Sequence, residues 1–279
     1  MTSFKLGPHY LDAALFLAHA SYAAYEDDPK DYEFQDFQFQ DFQFDELIPF
    51  ARGFLAERED AIILAFRGTD DPWDWLINVN IFQDDDDGAR VHSGFKHALK
   101  SVWPQISEPL QKMHRQKKRK IWVTGHSLGG ALATLATRRL IRNKNGLMLN
   151  KNANQIETHT FGQPRVGCAR MARQIISPFY RFAYSTDLVT YFPVGVFNRV
   201  RYAHAGTLKY IDKEGDIHRG TPNLFSSIIA GYRTARKLKG ELVANDELRT
   251  TVRAIERTIK KDHEMPHYIA KIAQEIENG

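Results

Sequence analysis

With 279 residues the chain is long enough for one α/β unit with a sizeable core, and 43% hydrophobic and 26% charged residues are ordinary globular proportions. A net charge of +4 is too mild to indicate nucleic-acid binding without a concentrated basic patch. Cys168 is the single cysteine, which excludes a disulfide within the chain, and no apolar stretch approaches the ~18–20 residues needed to span a bilayer.

In chain order, Leu11 to Ala20 is apolar but interrupted by Asp12 and His19, which favours a first helix packed on the domain over a signal peptide. The duplicated Phe-Gln stretch from Phe34 to Phe44 has phenylalanines at spacings that fit neither helix nor strand. It reads as a duplication on a wrapping hairpin or loop, with an exposed lipid-wetting cluster as the alternative. Ala61 to Phe66 is a continuous apolar run ending in Arg67-Gly68-Thr69, and Ile121 to Thr124, Ile156 to Phe161 and Phe179 to Tyr184 repeat that character. Such runs predict buried parallel strands.

The acidic run Asp84-Asp85-Asp86-Asp87 lacks the alternating ligands and closing glutamate of a calcium loop, so it predicts a solvated loop. Lys117-Lys118-Arg119-Lys120 reads as a solvated helix end. Gly129 to Asn145 is rich in Ala and Leu and carries Arg138, Arg139 and Arg142 near its end, which are helix features. Strand, helix and strand in succession define a βαβ unit. The expected class is therefore α/β, a mostly parallel sheet flanked by helices. The part from 221 to 279 reads as helical, with stripes at Leu248, Val252, Ile255 and Ile259 and again at Ile269, Ile272 and Ile276. Nothing resembles a flexible linker, so residues 1–279 are expected to form one unit. The expectation is a soluble protein, cytoplasmic or secreted without a recognisable signal peptide, with its oligomeric state left open.

Gly125-His126-Ser127-Leu128-Gly129 carries the chemistry. A serine raised clear of a strand end needs a tight turn before the next helix, with glycines where the two backbones approach. That turn places Ser127 at a helix N-terminus and directs the Leu128 amide at a developing oxyanion. A serine hydroxyl is a poor nucleophile and needs a base held by a carboxylate. Asp187, following the run at 179–184, belongs on the same strand-end rim as Ser127, whereas Asp212 and Asp216 beside Gly215 look like turn residues. His204, His218, His263 and His267 are all candidate bases; His263 lies between two helical stretches, and spacing alone does not choose among them.

Taken together, Phe66-Arg67-Gly68-Thr69, Trp75-Leu76-Ile77-Asn78-Val79, Val91-His92-Ser93-Gly94-Phe95, Gly125 to Gly130, Phe161 to Gly167, Asp187-Leu188-Val189 with Pro193, and Asp262-His263 with Tyr268 resemble the fungal-type, or class 3, lipases of the α/β-hydrolase superfamily. The resemblance implies a Ser127, Asp187 and His263 triad and an oxyanion contribution from Thr69 beside Leu128. It also implies that 70–82 is a helical lid, and Trp75, Val79 and Phe82 recur there at helical spacing, as a substrate-facing stripe would; His92 and Arg165 read as structural. The expected function is hydrolysis of lipid carboxylic esters, by a triacylglycerol lipase or esterase, through an acyl-enzyme, with no metal and no organic cofactor. A phospholipase, an acyltransferase or a non-catalytic lipid-binding protein on the same fold are the alternatives. The expected partner is a lipid or ester substrate, at a lipid–water interface if the lid opens.

Overall fold

All six residues of Ala61–Phe66 are buried, so this strand has no solvent face and must lie in a sheet covered on both sides. The computed structural model describes residues 10–26, 38–42, 51–69, 82–142, 155–185, 187–193, 196–197, 200–220 and 260–278. Its strands are β1 (Gln38–Phe42), β2 (Gly53–Glu57), β3 (Ala61–Phe66), β4 (Gln83–Asp86), β5 (Ala89–His92), β6 (Lys120–His126), β7 (Ile156–Phe161), β8 (Phe179–Tyr184), β9 (Val196–Phe197), β10 (Val200–Arg201), β11 (Thr207–Ile211) and β12 (Ile217–Arg219). Eight of these form one sheet in the order β1-β2-β3-β6-β7-β8-β11-β12. Its middle five strands, β3 through β11, run parallel, and the outer pairings are antiparallel.

Side chains alternate across the sheet with period two. Ile62, Leu64 and Phe66 of β3, with Ile121 and Val123 of β6, face a core built with α2 (Ser93–Gln116), α3 (Leu128–Arg142) and Met171 of the short α4 (Ala169–Arg173). Ala61, Ile63 and Ala65, with Trp122, face the opposite layer, where α1 (Tyr10–Ala23) contributes Phe16 and Leu17. Further along that layer, Phe161, Phe182, Tyr184 and Ile211 meet Met265, Tyr268 and Ile272 of α5 (Met265–Asn278). The sequence expectation for the first helix and for the strands at 61–66, 156–161 and 179–184 matches the observed elements. Ile272 is buried and Ile269 and Ile276 pack partly against it, whereas the stripe from Leu248 to Ile259 lies outside the described residues.

Residues 38–42 of the Phe-Gln repeat form an edge strand paired antiparallel to β2, the next strand in the chain, which is the expected hairpin arrangement. Two expectations need correction. The acidic run is a hairpin rather than a solvated loop. Asp87 and Gly88 both take positive φ, 52° and 73°, across the two-residue turn joining β4 to β5, which is what a type I′ hairpin requires. Its carboxylates receive the cations of α3: Arg138, only 2% exposed, pairs with Asp86, and Arg142 Nε donates to Asp87 Oδ2 at 2.6 Å. Arg119, finally, is buried and not solvated, donating to Glu57 Oε2 at 2.6 Å and to the Met113 carbonyl at 3.0 Å.

Asp86→Ala would leave the buried Arg138 guanidinium without its carboxylate. The expected loss is about 1.5–3 kcal/mol of unfolding free energy, read as a lower urea midpoint at unchanged slope.

Candidate active site

At the end of β6 the chain turns through a single residue, Ser127, directly into α3. Ser127 has φ of 55°, a conformation that costs a non-glycine residue strain and persists only where its surroundings enforce it. The Ser127 amide donates to the Phe161 carbonyl at 2.9 Å, and the Ala131 amide donates to the Ser127 carbonyl at 3.3 Å. Close backbone approach does the rest. A Cβ on Gly125 would lie 2.3 Å from the Gly129 carbonyl oxygen, and one on Gly129 would lie 2.3 Å from that of Phe66. Strand and helix thus meet at distances that only glycine permits.

Asp187 follows β8 and caps a short 3-10 turn, Leu188–Tyr191, accepting from the Val189 amide at 2.9 Å through Oδ1. Its other oxygen accepts from His263 Nδ1 at 2.8 Å and from the Tyr268 hydroxyl at 2.6 Å. Asp187 is fully buried and His263 is 1% exposed. Behind this loop, Arg165 donates to the carbonyls of Tyr191 and Pro193, and His92 caps α2, accepting from the Phe95 amide at 3.3 Å. Both therefore have the structural roles expected of them.

With Nδ1–H directed at Asp187, His263 keeps its Nε2 lone pair. That nitrogen and Ser127 Oγ are both buried and have no hydrogen-bond partner among the described residues. Phe161-Gly162 brings the groups together: Phe161 receives the Ser127 amide, and a Cβ on Gly162 would sit 2.8 Å from Asp187 Oδ2 and 2.8 Å from His263 Cε1. Gly162, at φ of 58°, is a functional position that the motif contained without its role being apparent.

The other candidate bases are engaged elsewhere. His204 Nε2 donates to the Thr190 carbonyl at 2.8 Å, His218 pairs with Asp212 on an exposed turn at 2.6 Å, and the His267 ring packs edge-on to Tyr184. Asp212 accepts from the amides of Gly215 and Asp216, as a turn residue does. Asp212, Asp216 and His218 lie close enough to share an ion, but Asp212 and His218 are already paired with each other. Thr69 lies in the loop after β3, and a Cβ on its neighbour Gly68 would lie 3.2 Å from Ser127 Cβ. Leu128 opens α3, where first-turn amides lack intrahelical partners. Thr69, His126 and His263 line a pocket of about 340 Å³ with Tyr22, Tyr25 and Met265. Of the expected lid, Trp75 and Val79 lie outside the described residues. Phe82 is not helical: it stands just ahead of β4 with its side chain 66% exposed.

This is an α/β-hydrolase fold, with a serine corner, a buried carboxylate and an imidazole gathered at one end of the sheet. Residues 63–197 match the model of the lipase (class 3) family. It is 31% identical over 163 residues to a lipase of Rhizomucor miehei, covering 56% of this chain and 42% of the relative. It is 31% identical over 158 residues to a secreted mono- and diacylglycerol lipase of Fusarium solani, covering 54% and 44%. The chain thus spans less than half the length of these relatives. In fold it is similar to the triacylglyceride lipase structure of Rhizomucor miehei, with a TM-score of 0.66 at 22% identity over 76% of this chain and 83% of that one. No helix among the described residues is long and apolar enough to cross a membrane.

Two measurements follow from this geometry. Gly162→Ala should push His263 and Asp187 apart and lower turnover by on the order of 100-fold, read by steady-state kinetics on a soluble ester. Burial holds the pKa values of His126 and His204 well below the usual histidine value of 6.5, helped at His126 by His263 and at His204 by Arg181 and Arg165. The unfolded chain then binds more protons than the native one between the lowered values and 6.5. Stability from these groups is complete above 6.5 and is lost as pH falls, so the urea midpoint should drop between pH 7.5 and pH 5.

Proposed function

We propose that this chain hydrolyses carboxylic esters of lipids through a covalent acyl-enzyme on Ser127. The observation that carries this reading is the pairing of His263 Nδ1 with buried Asp187, beside a strained serine whose Oγ has no partner among the described residues. In this reading His263 Nε2 takes the proton from Ser127 Oγ as the oxygen attacks the ester carbonyl. Asp187 fixes the ring and stabilises the imidazolium that forms. The amides of Thr69 and Leu128 receive the oxyanion, a contribution whose loss typically costs ~10²–10³ in turnover. The imidazolium then protonates the departing alcohol oxygen, and water repeats the sequence to free the acid and regenerate Ser127.

The relatives named as a lipase and as a mono- and diacylglycerol lipase support a glycerolipid ester as the substrate. The 340 Å³ pocket beside His263 and Thr69 provides room for part of such a molecule. Residues 70–82 are proposed as the segment that covers the site, with Trp75 and Val79 as its lipid-facing side chains. The whole chain is assigned to one such unit.

Ser127→Ala and His263→Ala should each lower hydrolysis of p-nitrophenyl esters by at least ~10³-fold with unchanged far-ultraviolet circular dichroism. His204→Ala should stay within about tenfold of wild type, because that ring bonds Thr190 and not Asp187. Retained turnover in Ser127→Ala overturns the assignment of the nucleophile.

A further inference from the structure

His126 precedes the serine and ends β6, with its ring on the face that Thr124 turns toward α1. It is 5% exposed and makes two short hydrogen bonds. The Tyr25 hydroxyl donates to Nδ1 at 2.7 Å, and Nε2 donates to the main-chain carbonyl of His263 at 2.6 Å. A carbonyl can only accept, so Nε2 carries the proton and Nδ1 receives the tyrosine. The two imidazoles lie with ring centroids 4.5 Å apart.

The His263 carbonyl needs such a donor. Residues 260–263 are helical, Glu264 breaks the run, and α5 begins at Met265. The Glu264 amide turns back to the Lys261 carbonyl at 3.3 Å, and the His267 amide goes to the Glu264 carbonyl at 3.1 Å. The amide four residues on, which would serve the His263 carbonyl in a continuous helix, is thus bonded elsewhere. A buried carbonyl left unpaired is costly. His126 fills this role from the residue adjoining the nucleophile, so one end of His263 is held by Asp187 through the ring and the other by His126 through the main chain.

We propose that His126 is a positioning residue, which ties the backbone of the base to the serine corner and so fixes the approach of His263 Nε2 to Ser127 Oγ. The inference rests on the assignment of Ser127, Asp187 and His263 made above. Its function requires a donor at the distal ring nitrogen, which distinguishes it from space filling.

The test compares His126→Gln, His126→Asn and His126→Leu, with Ser127→Ala as the control, on a soluble p-nitrophenyl ester. Glutamine carries an N–H at about the reach of Nε2, whereas asparagine is too short and leucine has no donor. The expected result is a loss in kcat on the order of 10- to 100-fold for Asn and Leu, with KM changed by less than about threefold, and recovery of most of that loss in Gln. If Leu fails to fold, the polar Gln and Asn pair decides, with thermal midpoints confirming that both are folded. Wild-type kcat in Asn, or equal losses in Gln and Asn, overturns the proposal. If Ser127→Ala is inactive while Asn is fully active, the positioning role alone fails. If Ser127→Ala keeps turnover, the triad assignment fails and the positioning role with it.

Discussion

The structure depends on one corner, where β6 becomes α3 within a single residue. Ser127 adopts a left-handed conformation there, and such strain lasts only where the surrounding backbone leaves no alternative. Glycines at 125 and 129 let helix and strand approach to distances that any side chain would block. The amide of Ser127 is bonded to β7 and its carbonyl to α3. Relaxing the corner would therefore separate three elements at once. That over-determination keeps the hydroxyl at the head of a helix, where amide dipoles favour developing negative charge.

The rest of the site follows from the order of the sheet. β3, β6, β7 and β8 are consecutive parallel neighbours, so their carboxyl ends form one rim, as in other open α/β sheets. The chain leaving β3 reaches Thr69, that leaving β6 reaches Ser127, that leaving β7 reaches Gly162, and that leaving β8 reaches Asp187. His263 comes from outside the sheet, ahead of α5, and is held against the rim by Asp187 on one side and His126 on the other. Tyr268 in α5 completes the arrangement by donating to Asp187 while accepting from the Tyr184 amide at 3.0 Å. Acid and base are thus fixed by buried hydrogen bonds, while Ser127 Oγ and His263 Nε2, the atoms the proposed chemistry uses, have no hydrogen-bond partner among the described residues.

What could be read from sequence follows the range of each interaction. The serine corner is a local backbone problem, so its glycines announce it. Strands buried on both faces leave continuous apolar runs, and those at 61–66, 156–161 and 179–184 could be bounded to the residue. The base is a contact across 76 positions, and nothing around His263 distinguishes it from His204 or His267 until the fold brings Asp187 to it; only the family resemblance selected it beforehand. The acidic run at 84–87 was misleading because its partners Arg138 and Arg142 lie more than fifty residues away. At 38–42 the sequence left hairpin and loop undivided, because main-chain pairing to β2 leaves no pattern in side chains.

The assignment of the nucleophile can be tested by covalent trapping. Ser127 is the single serine of the tryptic peptide spanning 121–138, so an adduct there is unambiguous by mass spectrometry. Treatment with an alkyl fluorophosphonate should place one phosphonyl group on that peptide and abolish ester hydrolysis in proportion to labelling. Complete inactivation with the label on another residue, or full labelling of that peptide with hydrolysis intact, would contradict a serine enzyme centred on this corner.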